Sequence, residues 1–203
     1  MVYRRYAGFN RNAIWVIIGV NFFLFIIINV IIKNIDQNTY IMALSTLGLS
    51  PSTFLGYPWT IVTNMFVHGS FWHIFANMLT LFFFGSYFAS LVGNGRFLLV
   101  YFGGGVLGSI LYLILGPTYS IAVGASGAVY AVAGTLVMMR PNLRVLLYFI
   151  VPMPLWVVIL VFFVIWSLPN IIPNVAWQAH LGGLIFGLIA GYIFRRRERY
   201  FFR

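Results

Sequence analysis

Cysteine is absent from this chain, and acids nearly so: Asp36 and Glu198 are its only carboxylate side chains. The first absence removes disulfides, thiol catalysis and cysteine metal sites together. The second argues against an aspartyl mechanism, which needs two close carboxylates, because Asp36 follows the first apolar run and Glu198 lies in a basic tail. Three histidines without a His-Glu-x-x-His pattern supply few metal ligands. Neither a metal nor another cofactor is expected.

Charge of any kind is scarce, at 7% of 203 residues, whereas 62% are hydrophobic. A soluble domain is about one quarter charged, so the chain reads as an integral, multi-pass membrane protein. At ~20 residues per span, the apolar runs predict helices near 13–32, 71–92, 97–115, 126–139, 145–166 and 178–194. The fourth is short, and the glycine and alanine at its start suggest that it begins below the surface, in a cavity where irregular backbone is tolerated. The expected fold is an all-α membrane protein: one six-helix transmembrane bundle over 1–203, with a long outer loop at 33–70 and a basic tail at 195–203. The first run is too long for a signal-peptide core and is expected to be retained as a helix.

The net charge of +10 raises the question of nucleic acid, but a nucleic-acid footprint clusters on one soluble module. Here the arginines flank the spans. With both termini on one side, every arginine from Arg4 to Arg203 falls on that side and only Lys33 on the other. The positive-inside rule then makes both termini cytoplasmic. Arg195, Arg196, Arg197 and Arg199 are expected to meet anionic lipid headgroups.

This threading runs the second, fourth and sixth helices inward from the outer face, so their N-terminal ends share one depth. His73 and Asn77 fall in the first turns of the second, Ser126 opens the fourth, and His180 opens the sixth. Polar groups in hydrocarbon are costly and face a bundle interior or a wet cavity, so this layer predicts a water-accessible chamber open to the outside. Ala179, Gly183, Gly187 and Gly191 form a small-residue stripe on the sixth helix, and Gly127, Ala131 and Gly134 form one on the fourth. Such stripes let membrane helices approach closely, which would bring Ser126 to His180.

Each residue alone has an ordinary explanation. Serine in a Gly/Ala-rich helix is usually a packing residue or an N-cap, and a buried histidine is usually hydrogen-bonded packing. Together they offer a nucleophile and its base, with helix N–H groups to hold an oxyanion. Gly124 and Gly127 leave room for a substrate backbone. His73 and Asn77, four residues apart on one helix face, can both donate to an oxyanion, although they also suit interhelical packing. Tyr130 can stack on His180, and His68 is expected to make a structural hydrogen bond at the start of the second helix. Asp36 falls outside the membrane layer, which favours a Ser-His dyad over a triad.

On these motifs the chain resembles the rhomboid intramembrane serine proteases of the minimal six-helix kind. The family's Gly-x-Ser-Gly corresponds to Gly124-Ala125-Ser126-Gly127, with Tyr130 after it. Its sixth-helix motif corresponds to Ala179-His180-Leu181-Gly182-Gly183 with Gly187, and its second-helix motif to His68, His73 and Asn77. The resemblance implies attack by Ser126 on a peptide carbonyl with His180 as base, and an oxyanion hole made by His73, Asn77 and the Ser126 N–H. It implies transmembrane protein substrates cut near the outer face of a membrane, in a prokaryotic cell membrane by expectation. It also implies that the outer loop lies partly in the membrane and that the fifth helix, with 167–177, gates and caps the site. Two positions depart from the family: Trp59-Thr60 stands where Trp-Arg is common, and Ala89 where better-known bacterial members carry glutamate. A catalytically idle rhomboid-like membrane chaperone or scaffold and, less in keeping with the residues, a small transporter are the alternatives.

Overall fold

The computed structural model describes residues 11–147, 150–167 and 175–201. Arg4, Arg5, Arg203 and most of the stretch 167–177 expected to cap the site lie outside the described residues. The fold is mostly helical: α1 (Asn12–Ile35), α2 (Gln37–Leu47), α3 (Thr60–Thr63) followed by a 3-10 turn (Asn64–Phe66), α4 (Phe71–Val92), α5 (Asn94–Leu115), α6 (Ser126–Met139), α7 (Leu155–Ser167) and α8 (Trp177–Phe201). Four helices are long and apolar enough to cross a membrane: α1, α4, α5 and the Trp177–Arg196 part of α8. At ~1.5 Å per residue, their 20 to 24 residues reach the ~30 Å of a hydrocarbon core. The chain is an integral membrane protein.

The two shorter apolar helices differ in setting. At 14 residues, α6 is about 21 Å long, yet nearly all of it is buried, from Gly127 to Met139. It is enclosed by α4, α5, α7 and α8. A central helix of this kind can begin and end at membrane depth because its terminal backbone groups are covered by protein. By contrast α7, with 13 residues, exposes Trp156, Leu160, Val161, Phe162, Val164 and Ile165.

The fifth helix differs from expectation. The apolar run at 145–166 predicts one helix, but its first part pairs as a two-stranded antiparallel hairpin, β1 (Arg144–Leu147) with β2 (Val151–Pro154), and the helix begins only at Leu155. Pro152 and Pro154 explain the change. Each lacks an N–H and disfavours helical backbone in the residue before it, and their two-residue spacing lets both nitrogens point away from the partner strand. The Leu155 N–H then bonds to the Leu143 carbonyl at 2.8 Å, closing the hairpin base.

The tightest packing joins α8 to α5 and α6. A Cβ at Gly183 would overlap the Gly127 carbonyl, and one at Gly187 would overlap the Ala131 carbonyl. At Gly191 a Cβ would lie 2.6 Å from the Thr135 carbonyl oxygen, and at Gly182 it would lie 2.7 Å from the Gly108 Cα. Only hydrogen at these positions allows backbone-to-backbone contact. Thr135 seals the seam, its Oγ1 lying 2.8 Å from the Ala131 carbonyl and 3.0 Å from the Gly187 carbonyl.

Replacing Gly187 should therefore be costly where Gly19, with open space around it, is indifferent. Gly187→Leu is expected to destabilise the bundle by about 2–3 kcal/mol or to prevent folding, and Gly19→Leu to leave the unfolding midpoint within experimental error. Thermal unfolding of both variants in detergent checks the contrast.

Candidate active site

Ser126 is the first residue of α6, and the turn before it is shaped by Gly124. Its φ of +126° lies where side chains are strained, and a Cβ there would sit 2.6 Å from His73 Nε2. Gly124 thus serves both the turn and the seat of the His73 ring. Two backbone donors of this turn are held by the segment preceding α4. The Gly124 N–H bonds to the Asn64 carbonyl at 2.9 Å, and the Ala125 N–H bonds to His68 Nε2 at 3.3 Å. With those two donors committed, the N–H groups of Ser126 and Gly127 point out of the helix start with no backbone acceptor among the described residues.

His180 lies in the first turn of α8, brought over α6 by the glycine seam. Its Nε2 is 2.7 Å from Ser126 Oγ. The imidazole is 3% exposed whereas Ser126 is partly open, so the ring is shielded and the hydroxyl reachable. Tyr130 stacks on the His180 ring with centroids 4.7 Å apart and planes at 30°. Among the described residues His180 Nδ1 has no hydrogen-bond partner, carboxylate or other.

His73 and Asn77 share a face of α4, which is capped by Ser70 through the His73 N–H at 3.2 Å. One hydrogen of the Asn77 amide goes to the His73 carbonyl at 2.9 Å, leaving the other for a ligand. The His73 ring meets His68 edge-on at 4.9 Å. Burial, and secondarily His73, pushes the His68 imidazole down to about 3, so at neutral pH its Nε2 is an uncharged acceptor suited to the Ala125 N–H. Of the residues expected at the site, Ser126, His180 and Tyr130 meet, His73 meets Gly124, and His68 reaches Ala125. Gly127, Gly183 and Gly187 lie in the seam beneath.

Asp36 has another occupation. It caps the N-terminus of α2, accepting from Asn38 N at 3.2 Å and Thr39 N at 2.9 Å, and from the Thr39 hydroxyl. The departures at Thr60 and Ala89 also find an explanation. Thr60 is buried and donates to the Tyr57 carbonyl at 2.6 Å, and Ala89 is buried among apolar core residues. The segment between α1 and α4 is instead fastened by Trp59 Nε1 to the Thr46 carbonyl at 2.8 Å and Thr63 Oγ1 to the Leu47 carbonyl at 2.7 Å. Asn64 Nδ2 bonds to Ser109 Oγ on α5 at 3.0 Å, and Leu49 pairs with Ala122 through N–H···O bonds of 2.9 and 2.8 Å.

Sequence reasoning missed Asn64 and Asn29. A backbone carbonyl such as that of Asn64 has no sequence signature. Asn29, which bonds to the His68 carbonyl at 2.9 Å, had one: an amide in an apolar run is costly unless it has a partner.

A helical membrane protein with a serine and histidine joined at the start of two glycine-packed helices is the setting in which the comparisons fall. The rhomboid domain model matches residues 55–197. The chain is 32% identical to the mitochondrial rhomboid protein 1 of Saccharomyces cerevisiae over 146 residues, covering 66% of this chain and 41% of that one. It is 31% identical over 145 residues to the putative rhomboid protease YdcA of Bacillus subtilis, covering 70% of each. With the rhomboid protease GluP of the same organism it shares 30% identity over 132 residues, 65% of this chain and 25% of that one. The chain belongs to the rhomboid family.

The cap on α2 gives a direct test. Thr39 and Asn38 donate to Asp36 and hold its carboxyl below the usual carboxylate range, so the cap is intact above its unfolded value near 3.8 and weakens as pH falls through the folded one. Asp36→Ala should speed amide exchange in residues 38–40 several-fold, on the order of fivefold, while Asp36→Asn, itself a good cap, should change it little. Exchange followed by mass spectrometry at pH 7 distinguishes them.

Proposed function

We propose that this chain is an intramembrane serine endopeptidase that cleaves transmembrane segments of other membrane proteins by a Ser126-His180 dyad. The observation that carries the reading is the 2.7 Å approach of His180 Nε2 to Ser126 Oγ at a helix start with undirected N–H groups. In the first step Ser126 Oγ–H donates to Nε2, and the proton passes to His180 as Oγ attacks the substrate carbonyl. The resulting oxyanion is held by the Ser126 N–H, the remaining Asn77 amide hydrogen and His73. The imidazolium then protonates the leaving amine, and water admitted from the open side hydrolyses the acyl-enzyme, with His180 again as base. Tyr130 holds the ring in place of a carboxylate.

The same reading takes α1, α4, α5, α6, α7 and α8 as six spans of one rhomboid-type domain, with the segment from α2 to the 3-10 turn as an outer loop. Both termini are then cytoplasmic, as the arginine distribution supports, and the site opens to the outer face. Lipid headgroups are the partners of the basic tail. A scaffold that only binds transmembrane segments would keep the bundle but have no use for the dyad.

Ser126→Ala and His180→Ala are each expected to abolish cleavage of a labelled single-span substrate, and Ser126→Ala to abolish labelling by a fluorophosphonate. Asn77→Ala should fold and lose roughly 10²-fold in rate. Proteolysis undiminished in Ser126→Ala would overturn the assignment, and a wild-type protein that binds substrate without cutting it would leave the scaffold.

The depth of Ser126 sets the position of the cut. It opens a helix running inward from the outer face, so products should end near the substrate's outer membrane boundary. A helical peptide bond is shielded by its own turns, so Gly, Pro or polar residues near the cut should speed cleavage and Leu should slow it. The family resemblance adds a small residue immediately before the cut. Mass spectrometry of products from substrates carrying these changes measures both points, and cuts at the cytoplasmic boundary would contradict the orientation.

A further inference from the structure

Four asparagines lie on α1, and two of them, Asn21 and Asn34, bond back to the carbonyl four residues earlier, at 2.8 and 2.7 Å. Asn29 does not. It sits in a π-helical turn, Ile26–Ile32, and its Nδ2 crosses to the His68 carbonyl, 39 residues away, at 2.9 Å. Its Oδ1 faces the Tyr40 hydroxyl of α2 at 3.4 Å. The His68 carbonyl can only accept, so it fixes which end of the amide is the donor, and the Tyr40 hydroxyl donates to the other end; Lys33 Nζ lies 5.2 Å from the Tyr40 ring centre.

The apolar residues around this contact form a cluster separate from the main core. Ile28, Tyr40 and Val67 are buried there with Val123 packed against them. Val67 precedes His68 and Val123 precedes Gly124. The cluster therefore packs against both segments of the contact in which His68 Nε2 receives the Ala125 N–H. A π turn inserts a residue and re-aims the side chains that follow it, and such turns concentrate at functional sites.

We propose that Asn29 and Tyr40 are positioning residues for the dyad: Tyr40 orients the Asn29 amide, which fixes the His68 backbone, so that His68 holds the Ala125 N–H and sets where Ser126 stands relative to His180. The proposal rests on the protease reading for its kinetic consequence but not for its structural one. Neither residue touches the reacting atoms. Their loss lowers the fraction of time Ser126 spends aligned and leaves substrate docking alone, so the effect falls on kcat and not on KM.

The test uses the full chain in lipid nanodiscs, with cleavage of a labelled single-span substrate and hydrogen exchange at the peptide containing Ala125. Asn29→Leu should lower kcat about tenfold with KM within about twofold, and speed exchange at Ala125 by about the same factor. Tyr40→Phe should act in the same direction by about threefold, and Asn34→Leu should change neither. Because Asn29 acts through His68, its substitution in a His68→Ala background should cost less than about twofold. Unchanged exchange at Ala125 in Asn29→Leu, a loss confined to KM, or a full tenfold loss persisting in the His68→Ala background would each overturn the proposal. Should Asn29→Leu fail to fold, Tyr40→Phe removes one oxygen and no packing volume, and exchange at Ala125 decides. If the wild type cuts nothing and takes no fluorophosphonate, the protease reading falls, and exchange still decides the pair.

Discussion

The backbone contact between α6 and α8 is the constraint from which the site follows. A serine and a histidine 54 residues apart meet only if their helices lie closer than side chains ordinarily permit. Gly183 over the Gly127 carbonyl and Gly187 over the Ala131 carbonyl supply that closeness. Lipid gives helices no hydrophobic reason to associate, so the seam is held by close packing and by Thr135 sharing its proton between carbonyls of both helices. The short α6 then fits inside the bundle, since it needs no lipid-facing surface of its own. Its N-terminus is left inside the bundle, with the Ser126 and Gly127 N–H groups taken up by no backbone acceptor among the described residues.

The turn that carries Ser126 depends on a second, smaller structure. Gly124 and Ala125 are held by Asn64 and His68, and those residues are held by Ser109 on α5 and Asn29 on α1. Helix α2, capped by Asp36, covers the junction through Tyr40. One acid of the chain is thereby accounted for as a cap, which leaves His180 to be fixed by Tyr130 stacking and the Ser126 hydroxyl.

Much of this was legible in the sequence, for reasons that can be named. The bounds of α4 and α6 coincide with their apolar runs because membrane helices are read from composition and length. The approach of Ser126 to His180 was legible from the small-residue stripes Ala179, Gly183, Gly187, Gly191 and Gly127, Ala131, Gly134, since spacing on a helix is also direction in space. Apolarity failed at 145–154, where the run is continuous and Pro152 and Pro154 decide between helix and hairpin. Prolines within a membrane helix are tolerated often enough that the run outweighed them. The segment 33–70 hid most, because its ties run through backbone carbonyls of Thr46, Leu47, Asn64 and Ala122, which any residue supplies. Asp36 followed by Thr39 was a readable helix start. The Asn29 contact needed the π turn, and nothing in the apolar run 26–32 announces one.

The scarcity of acids has a chemical consequence. A carboxylate beside His180 would need its own partners in a medium where an unpaired charge is expensive, and the buried Ala89 shows the same economy elsewhere in the core. The contact joins a serine hydroxyl, an imidazole and an aromatic ring and brings in no carboxylate among the described residues, so the bundle can close around it without burying an anion. In the mechanism we propose, charge is created only during the reaction, as an imidazolium and an oxyanion formed together and close to one another. Each then stabilises the other, and the oxyanion meets oriented N–H donors that need no reorganisation. On that proposal a dyad without an acid is the form of serine chemistry that suits a base buried among membrane helices, and the partly open hydroxyl of Ser126 is where water and substrate would reach it.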